Sequence, residues 1–193
     1  MTEASVTGTA EPTRPLPEHQ PFPGRGARHR EMDRPLRDFL DEESVLLDDR
    51  QYQDWLDLLE DGFLYQVPVP LLREDPDLPR HSDQAMLFEA TRHVLALKLG
   101  RLGLKHAWSD RPGGVQRRFL GTVRVFATDR AGTWRVESGV LATWARGRGE
   151  SATATAARQD IVTDLGGGTY RLLRRRVLLD MEVPTHEQLS IIF

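Results

Sequence analysis

The 193-residue chain contains no cysteine. That absence excludes disulfides, thiol nucleophiles, thiolate zinc sites and any iron–sulfur cluster with a cysteine ligand. Lysine is almost missing as well: Lys98 and Lys105 are the only two among 26 basic residues, and the rest are arginine. This composition fits high-GC coding, with a secondary hint of ion pairs at interfaces. No apolar run approaches the ~20 residues of a membrane-spanning helix. The opening MTEASVTGTAEPTRPLPEHQ has no apolar core behind a basic start, so no secretory signal is expected. The expected compartment is the cytoplasm, with no membrane partner. A net charge of −3 leaves no general attraction to nucleic acid.

What is present falls into two parts. Residues 1–33 hold Pro12, Pro15, Pro17, Pro21 and Pro23 with few apolar residues, which predicts a flexible or partner-draped extension. The domain is expected over residues 34–193. From Pro35 to Asp61, Phe39, Leu40, Leu46, Leu47, Trp55, Leu58 and Leu59 recur at helical spacing, predicting two helices stopped by Gly62. A strand over Phe63–Val69 ends in Pro68 and Pro70, which suits an edge or a strand terminus. Ser82 is the expected N-cap of a third helix running to Leu99 and closed by Gly100 or Gly103.

The second half has a period of two. Strands are expected over Val115–Ala127, with a bulge or bend at Gly121, then through Trp134–Trp144, Thr153–Thr163 and Tyr170–Asp180. Asp129–Gly132 and Gly166-Gly167-Gly168 are the turns between them. On Tyr170–Asp180 the apolar residues fall on both faces, so its inward side is ambiguous. Helices first and long strands after reads as an α+β fold. A strongly curved mixed or antiparallel sheet would wrap three helices into a cone with an interior cavity. Charge is uneven: Arg34–Asp61 holds 10 acidic residues against 3 arginines, and Arg92–Arg135 holds 10 basic residues against 2 aspartates. Such segments are solvated faces or complementary patches on neighbouring subunits.

Candidate chemistry is sparse. His81, Asp83 and His186 have the residue types of a two-histidine, one-carboxylate iron site, but Ser82-Asp83 also reads as a helix start, and no metal site is assigned. His93 and His106 read as packed, hydrogen-bonded histidines. Asp48, with Tyr52, would face the cavity, where a buried carboxylate can serve as a base; the other reading is a solvated acid pair with Asp49 at a helix end. The triple glycine lacks the spacing and the Lys-Ser/Thr of a phosphate loop. Of Arg174-Arg175-Arg176, at least one must point inward or into an interface and needs a carboxylate there. Trp55, Trp108, Trp134 and Trp144 are expected in the core.

Two long stretches carry a family resemblance. Glu43–Leu59 (ESVLLDDRQYQDWLDLL) with Phe63–Val69 is similar to the N-terminal part of the small (beta) subunit of aromatic-ring-hydroxylating dioxygenases. Ala107–Asp110, Arg117–Leu120, Arg174–Asp180 and the Leu189–Phe193 end (LSIIF) resemble later parts of the same subunit, in order. The resemblance implies the SnoaL-like (NTF2-like) cone. It also implies a non-catalytic subunit that assembles with large alpha subunits, commonly as α3β3 with a beta trimer, in aromatic-compound catabolism. The Rieske [2Fe–2S] cluster and mononuclear Fe(II) belong to the alpha subunit, so no cofactor-binding, metal or catalytic residue is expected here. The alternative is a freestanding isomerase, dehydratase or cyclase of the same superfamily, with Asp48 or His106 as its acid–base residue.

Overall fold

A computed structural model describes residues 21–75, 77–102, 115–146, 150–181 and 192–193. A short 3-10 turn, Arg30–Met32, leads into α1 (Asp33–Asp48) and α2 (Tyr52–Asp57). Then come β1 (Leu59–Pro70), β2 (His81–Thr91), α3 (Arg92–Leu102), β3 (Val115–Ala127), β4 (Thr133–Arg146), β5 (Glu150–Gly166) and β6 (Thr169–Leu179). The strands form one curved, unclosed sheet in the order β2-β1-β6-β5-β4-β3. Only β1 and β6 run parallel, which makes the sheet mixed.

Helix α1 presents Leu36, Leu40, Glu43, Ser44 and Leu47 to the interior, a stripe at the four-and-three spacing of one helix face. It ends in a Schellman motif. The Gln51 amide donates to the Leu46 carbonyl at 2.8 Å and the Arg50 amide to Leu47 at 3.3 Å, with Arg50 in the left-handed region at φ 59°. The inner face of the sheet supplies Phe63, Tyr65, Val125, Val136, Val162, Leu172 and Val177 to the same core.

Two bulges set which side chains enter it. The β3–β4 register shifts between Leu120 and Val123. Ahead of the shift the buried residue is Arg118 and Phe119 points out; beyond it Val123 and Val125 are buried. The expected bulge at Gly121 is there, and it splits the odd-numbered apolar series: Val115 and Phe119 face outward, Val123 and Val125 inward. A Cβ on Gly121 would lie 3.3 Å from the Gly139 carbonyl oxygen, so the two strands close tightly at this point. In β6, Ile161 pairs with Arg174 and Val162 with Leu172, leaving Leu173 as the extra residue. That bulge resolves the ambiguous face: Leu172 lies inward before it, and Arg175, Val177 and Leu179 after it.

Three expectations are corrected. The helix expected from Ser82 to Leu99 is strand β2 as far as Thr91 and helix α3 only from Arg92. Ser82 Oγ does accept from the amides of Gln84 and Ala85, as an N-cap would. Pairing with β1 nevertheless holds the chain extended, with Phe88 opposite Val67 and edge-on to the Tyr65 ring. Gly62 does not stop α2, which ends at Asp57; Gly62 lies inside β1. β1 is not an edge strand, because β2 and β6 flank it. Its prolines follow the last pair with β6, Gln66–Arg176, so the terminus reading of Pro68 and Pro70 stands.

β3 is an edge, and between Arg118 and Ala127 its backbone is capped at several points. Asp48 accepts from the Arg118 amide at 3.0 Å, and Arg37 donates to the Leu120 and Gly121 carbonyls at 3.1 and 2.7 Å. Asp33 accepts from the Val125 amide at 3.1 Å. Residues 26–29 complete the cover, through Gly26 amide to Ala127 carbonyl and Ala127 amide to Ala27 carbonyl at 3.1 and 2.8 Å. The same segment continues over the outer face, where Phe22 lies against Arg135 and Arg174 and Arg25 pairs with Glu137. A Cβ on Gly26 would stand 2.6 Å from the Ala127 oxygen. Gly26→Ala is therefore expected to release this segment. Limited proteolysis should cut before Met32 at least several-fold faster than in the wild type while the thermal midpoint changes little; an unchanged cleavage rate refutes it.

Candidate functional site

The helix-covered interior holds a four-membered ion cluster. Glu43 comes from α1, Arg158 and Asp160 from β5, and Arg175 from β6, and all four side chains are fully buried. Arg175 spends every donor it has. Its Nη1 donates to Glu43 Oε1 at 2.5 Å and to the Phe193 carbonyl at 2.9 Å. Its Nη2 donates to Glu43 Oε2 at 2.8 Å and Asp160 Oδ2 at 3.0 Å, and its Nε to Asp160 Oδ1 at 2.7 Å. Five bonds exhaust a guanidinium. Arg158 donates through Nη1 to Glu43 Oε2 and through Nε to Ser138 Oγ, at 3.4 and 3.3 Å. The indole Nε1 of Trp55 donates to Glu43 Oε1 at 2.9 Å.

Burial by itself would push the Glu43 carboxyl up. The charges of Arg175 and Arg158 and the bonds from Arg175 and Trp55 outweigh it and hold the group at about 2. Burial also works against the Arg175 cation, yet Asp160 and Glu43 raise it above its ordinary value. Burial and the like charge of Arg175 press Arg158 down. Tyr65, whose hydroxyl accepts from the Phe193 amide at 3.1 Å, is raised by burial. A carboxylate clamped between two guanidinium groups is a poor proton acceptor. What it does well is fasten α1 to β5 and β6 in one geometry.

A second ion pair closes the adjacent end. Arg118 donates through Nη1 to Asp48 Oδ1 at 2.5 Å and through Nε to the Ile192 carbonyl at 2.8 Å. Together Arg118, Arg175 and Tyr65 hold residues 192 and 193 in the core, where Ile192 and Phe193 are buried.

The residues matched by the ring hydroxylating beta subunit family run from 42 to 185, and so take in the last two turns of α1, all six strands and all four cluster residues, Glu43, Arg158, Asp160 and Arg175. The chain belongs to that family. The beta subunit of an N,N-dimethyl phenylurea N-demethylase from Sphingobium sp. (strain YBL2) is 31% identical over 141 residues, which cover 73% of this chain and 80% of that one. Among solved structures, naphthalene 1,2-dioxygenase with indole bound superposes with a TM-score of 0.74 at 20% identity, over 86% of this chain and 87% of that one. The beta subunit of benzoate 1,2-dioxygenase from Burkholderia mallei ATCC 23344 gives 0.61 at 17% identity, over 75% and 88%. These likenesses confirm the expected α+β, SnoaL-like fold.

In this beta subunit the residues singled out from sequence do not converge. Asp48 is at the end of α1, bound to Arg118 rather than paired in solvent with Asp49. Tyr52 packs partly buried against the core, and His93 is exposed on α3. His81 Nε2 bonds the Leu179 carbonyl at 2.8 Å, while Asp83 accepts from Arg176 at 2.7 Å. His106, Trp108 and His186 lie outside the described residues. Among the described residues no group of three or more His, Cys, Asp or Glu is placed to hold a metal ion. Trp55 and Trp144 are buried, and Trp134 packs on the core with its ring edge-on to His29. The three glycines all have positive φ, 83°, 64° and 80°, and make the β5–β6 turn.

The inward arginine demanded by the Arg174–Arg176 run is Arg175. Its partners Glu43 and Asp160, and the neighbouring Arg158, were not identified from sequence. The signals were there: Glu43 falls on the Leu36–Leu40–Leu47 stripe, and Arg158 and Asp160 continue the inward alternation of Ala154 and Ala156.

Proposed function

We propose that this beta subunit is the non-catalytic, structural member of a multicomponent ring-hydroxylating oxygenase that attacks an aromatic compound in the cytoplasm. Its large alpha partner would carry the Rieske [2Fe–2S] cluster and the mononuclear iron, and the assembly would be α3β3 around a beta trimer. The observation that carries this is the interior itself: where a catalytic cone needs a reactive acid or base, this one has carboxylates neutralised by arginines. Without cysteine the chain also cannot ligate a Rieske centre, which keeps two cysteine ligands. Among the described residues no helix is long and apolar enough to cross a membrane. Co-expression with the large subunit, followed by affinity purification and mass measurement, tests the assembly. A stoichiometric complex with equal numbers of each chain is expected, and a beta chain that ignores its partner refutes the reading.

Asp48→Asn separates this reading from a freestanding acid–base enzyme. Removing the charge that faces buried Arg118 is expected to lower stability by about 3 kcal/mol. Turnover by the assembled oxygenase, assayed well below the variant's midpoint, should stay within a few-fold of wild type. Iron-free, partner-free chain that converts a small molecule and loses that activity in Asp48→Asn would overturn the structural role.

A further inference from the structure

Ile192 and Phe193 are 6% and 2% exposed, yet neither belongs to a helix or a strand. Among the described residues their main chain is bonded by side chains alone. The Tyr65 hydroxyl accepts from the Phe193 amide at 3.1 Å, Arg175 Nη1 donates to the Phe193 carbonyl at 2.9 Å, and Arg118 Nε donates to the Ile192 carbonyl at 2.8 Å. Tyr65 and Arg175 stand on the neighbouring strands β1 and β6, and Arg118 on β3 at the far edge; the curvature of the sheet brings the three together. A core residue carried on a helix or strand has its backbone polar groups satisfied by that element. Here the apolar side chains are buried while convergent side chains meet the polar atoms one by one, which is how a pocket holds a small molecule. We infer that the interior is a binding chamber for a ligand with an aromatic ring and a carboxylate, and that Ile192 and Phe193 are its built-in occupant. Such a chamber neither requires nor excludes assembly with a large subunit.

The lining fixes the chemistry of the ligand. Both carbonyls of the pair are met by guanidinium groups, and the Tyr65 hydroxyl stands in the combined field of Arg118, Arg158 and Arg175. Arg158 is fully buried, and its Nη2 has no hydrogen-bond partner among the described residues, a donor that a further acceptor would satisfy. With Ile192 and Phe193 withdrawn, Arg118 Nε and Arg175 Nη1 would join it as unspent buried donors. The carboxylates nearby, Asp48, Glu43 and Asp160, are already bonded to guanidinium groups, so the lining offers a ligand donors rather than acceptors. Such a set takes a carboxylate and rejects an ammonium group. The ring has its place where Phe193 lies, among the apolar side chains of the core. An occupant tethered to the chain competes at high effective concentration, which keeps the wild-type chamber closed to weak ligands.

The test uses the full chain carrying Ile192→Ala and Phe193→Ala together, which removes the apolar anchorage of the pair and leaves the lining intact. Titration calorimetry compares hydrocinnamate with phenylpropylamine, the same ring and spacer bearing an ammonium group, and with toluene, the ring alone. The double variant is expected to bind hydrocinnamate at least about ten-fold more tightly than the wild type does, and by a similar factor more tightly than it binds either control. A folded double variant that binds none of the three overturns the chamber, because the core has then closed over the lost side chains. Binding of the three alike, or of toluene in preference, also overturns it and leaves a bare apolar cavity. Equal binding of hydrocinnamate by wild type and variant places the ligand elsewhere and refutes the role of the pair. If the double variant is unfolded at room temperature, its circular dichroism becomes the readout. Millimolar hydrocinnamate is then expected to restore the folded spectrum and phenylpropylamine is not; failure of hydrocinnamate to restore it overturns the chamber as well.

Discussion

Glu43→Ala is expected to lower unfolding free energy by about 3–5 kcal/mol, the usual consequence of taking one partner from a buried ion group. Two guanidiniums would then face Asp160 alone, leaving an uncompensated cation among fully buried side chains. The Trp55 Nε1–H would lose its acceptor as well. Against a typical total of about 5–15 kcal/mol this is a large fraction. For a chain of this size it corresponds to a fall in thermal midpoint of roughly 6–20 °C. Asp38→Ala is the matched control. Its pair with Arg34 is exposed, with side-chain accessibilities of 84% and 58%, and such pairs contribute about 0–1 kcal/mol. Denaturant titration of the three proteins decides the matter; a Glu43→Ala curve that overlays the Asp38→Ala curve removes the cluster from its bracing role.

The second large effect is acid sensitivity, and its sign follows from the same carboxylate. Glu43 falls from an ordinary 4.5 to about 2 in the folded chain, chiefly because Arg175 and Arg158 overcome the opposing effect of burial. A lowered carboxyl pKa means the unfolded chain binds the proton first as pH drops. The stabilisation is therefore fully present above pH 4.5 and is lost as pH falls towards about 2. Its size across that window is roughly 3 kcal/mol at about 1.4 kcal/mol per unit. Glu137 is lowered too: bonds from Arg25 and Arg135 outweigh its burial, and this adds in the same direction. Urea midpoints measured at several values between pH 6 and 2.5 should fall steeply in the wild type. In Glu43→Gln, less stable at neutral pH, the same curve should be distinctly flatter. Parallel curves for the two proteins would show that Glu43 does not carry the dependence.

Much of the architecture was readable in the chain because local periodicity produced it. The α1 stripe, the span of β3, the glycine turn and the inward arginine of β6 all express a side-chain pattern that meets one core. β2 was misread because Leu87, Phe88, Val94, Leu95 and Leu97 satisfy a helical period as a set. The strand pairing that overrides it depends on β1, more than a dozen residues earlier. The cluster was half legible: the need for a carboxylate near Arg174–Arg176 was plain, but its identity was not. Glu43 is 132 residues from Arg175 in sequence, and one-dimensional spacing cannot pair them.

Residue order by itself therefore determined the fold class, the exclusion of cysteine-dependent chemistry and the family likeness, since composition and short-range pattern suffice for each. Only the tertiary structure decided that Asp48 and Glu43 are held by arginines and that Phe119 looks outward. Both outcomes turn on long-range register, in which one inserted residue at a bulge exchanges the two faces of a strand.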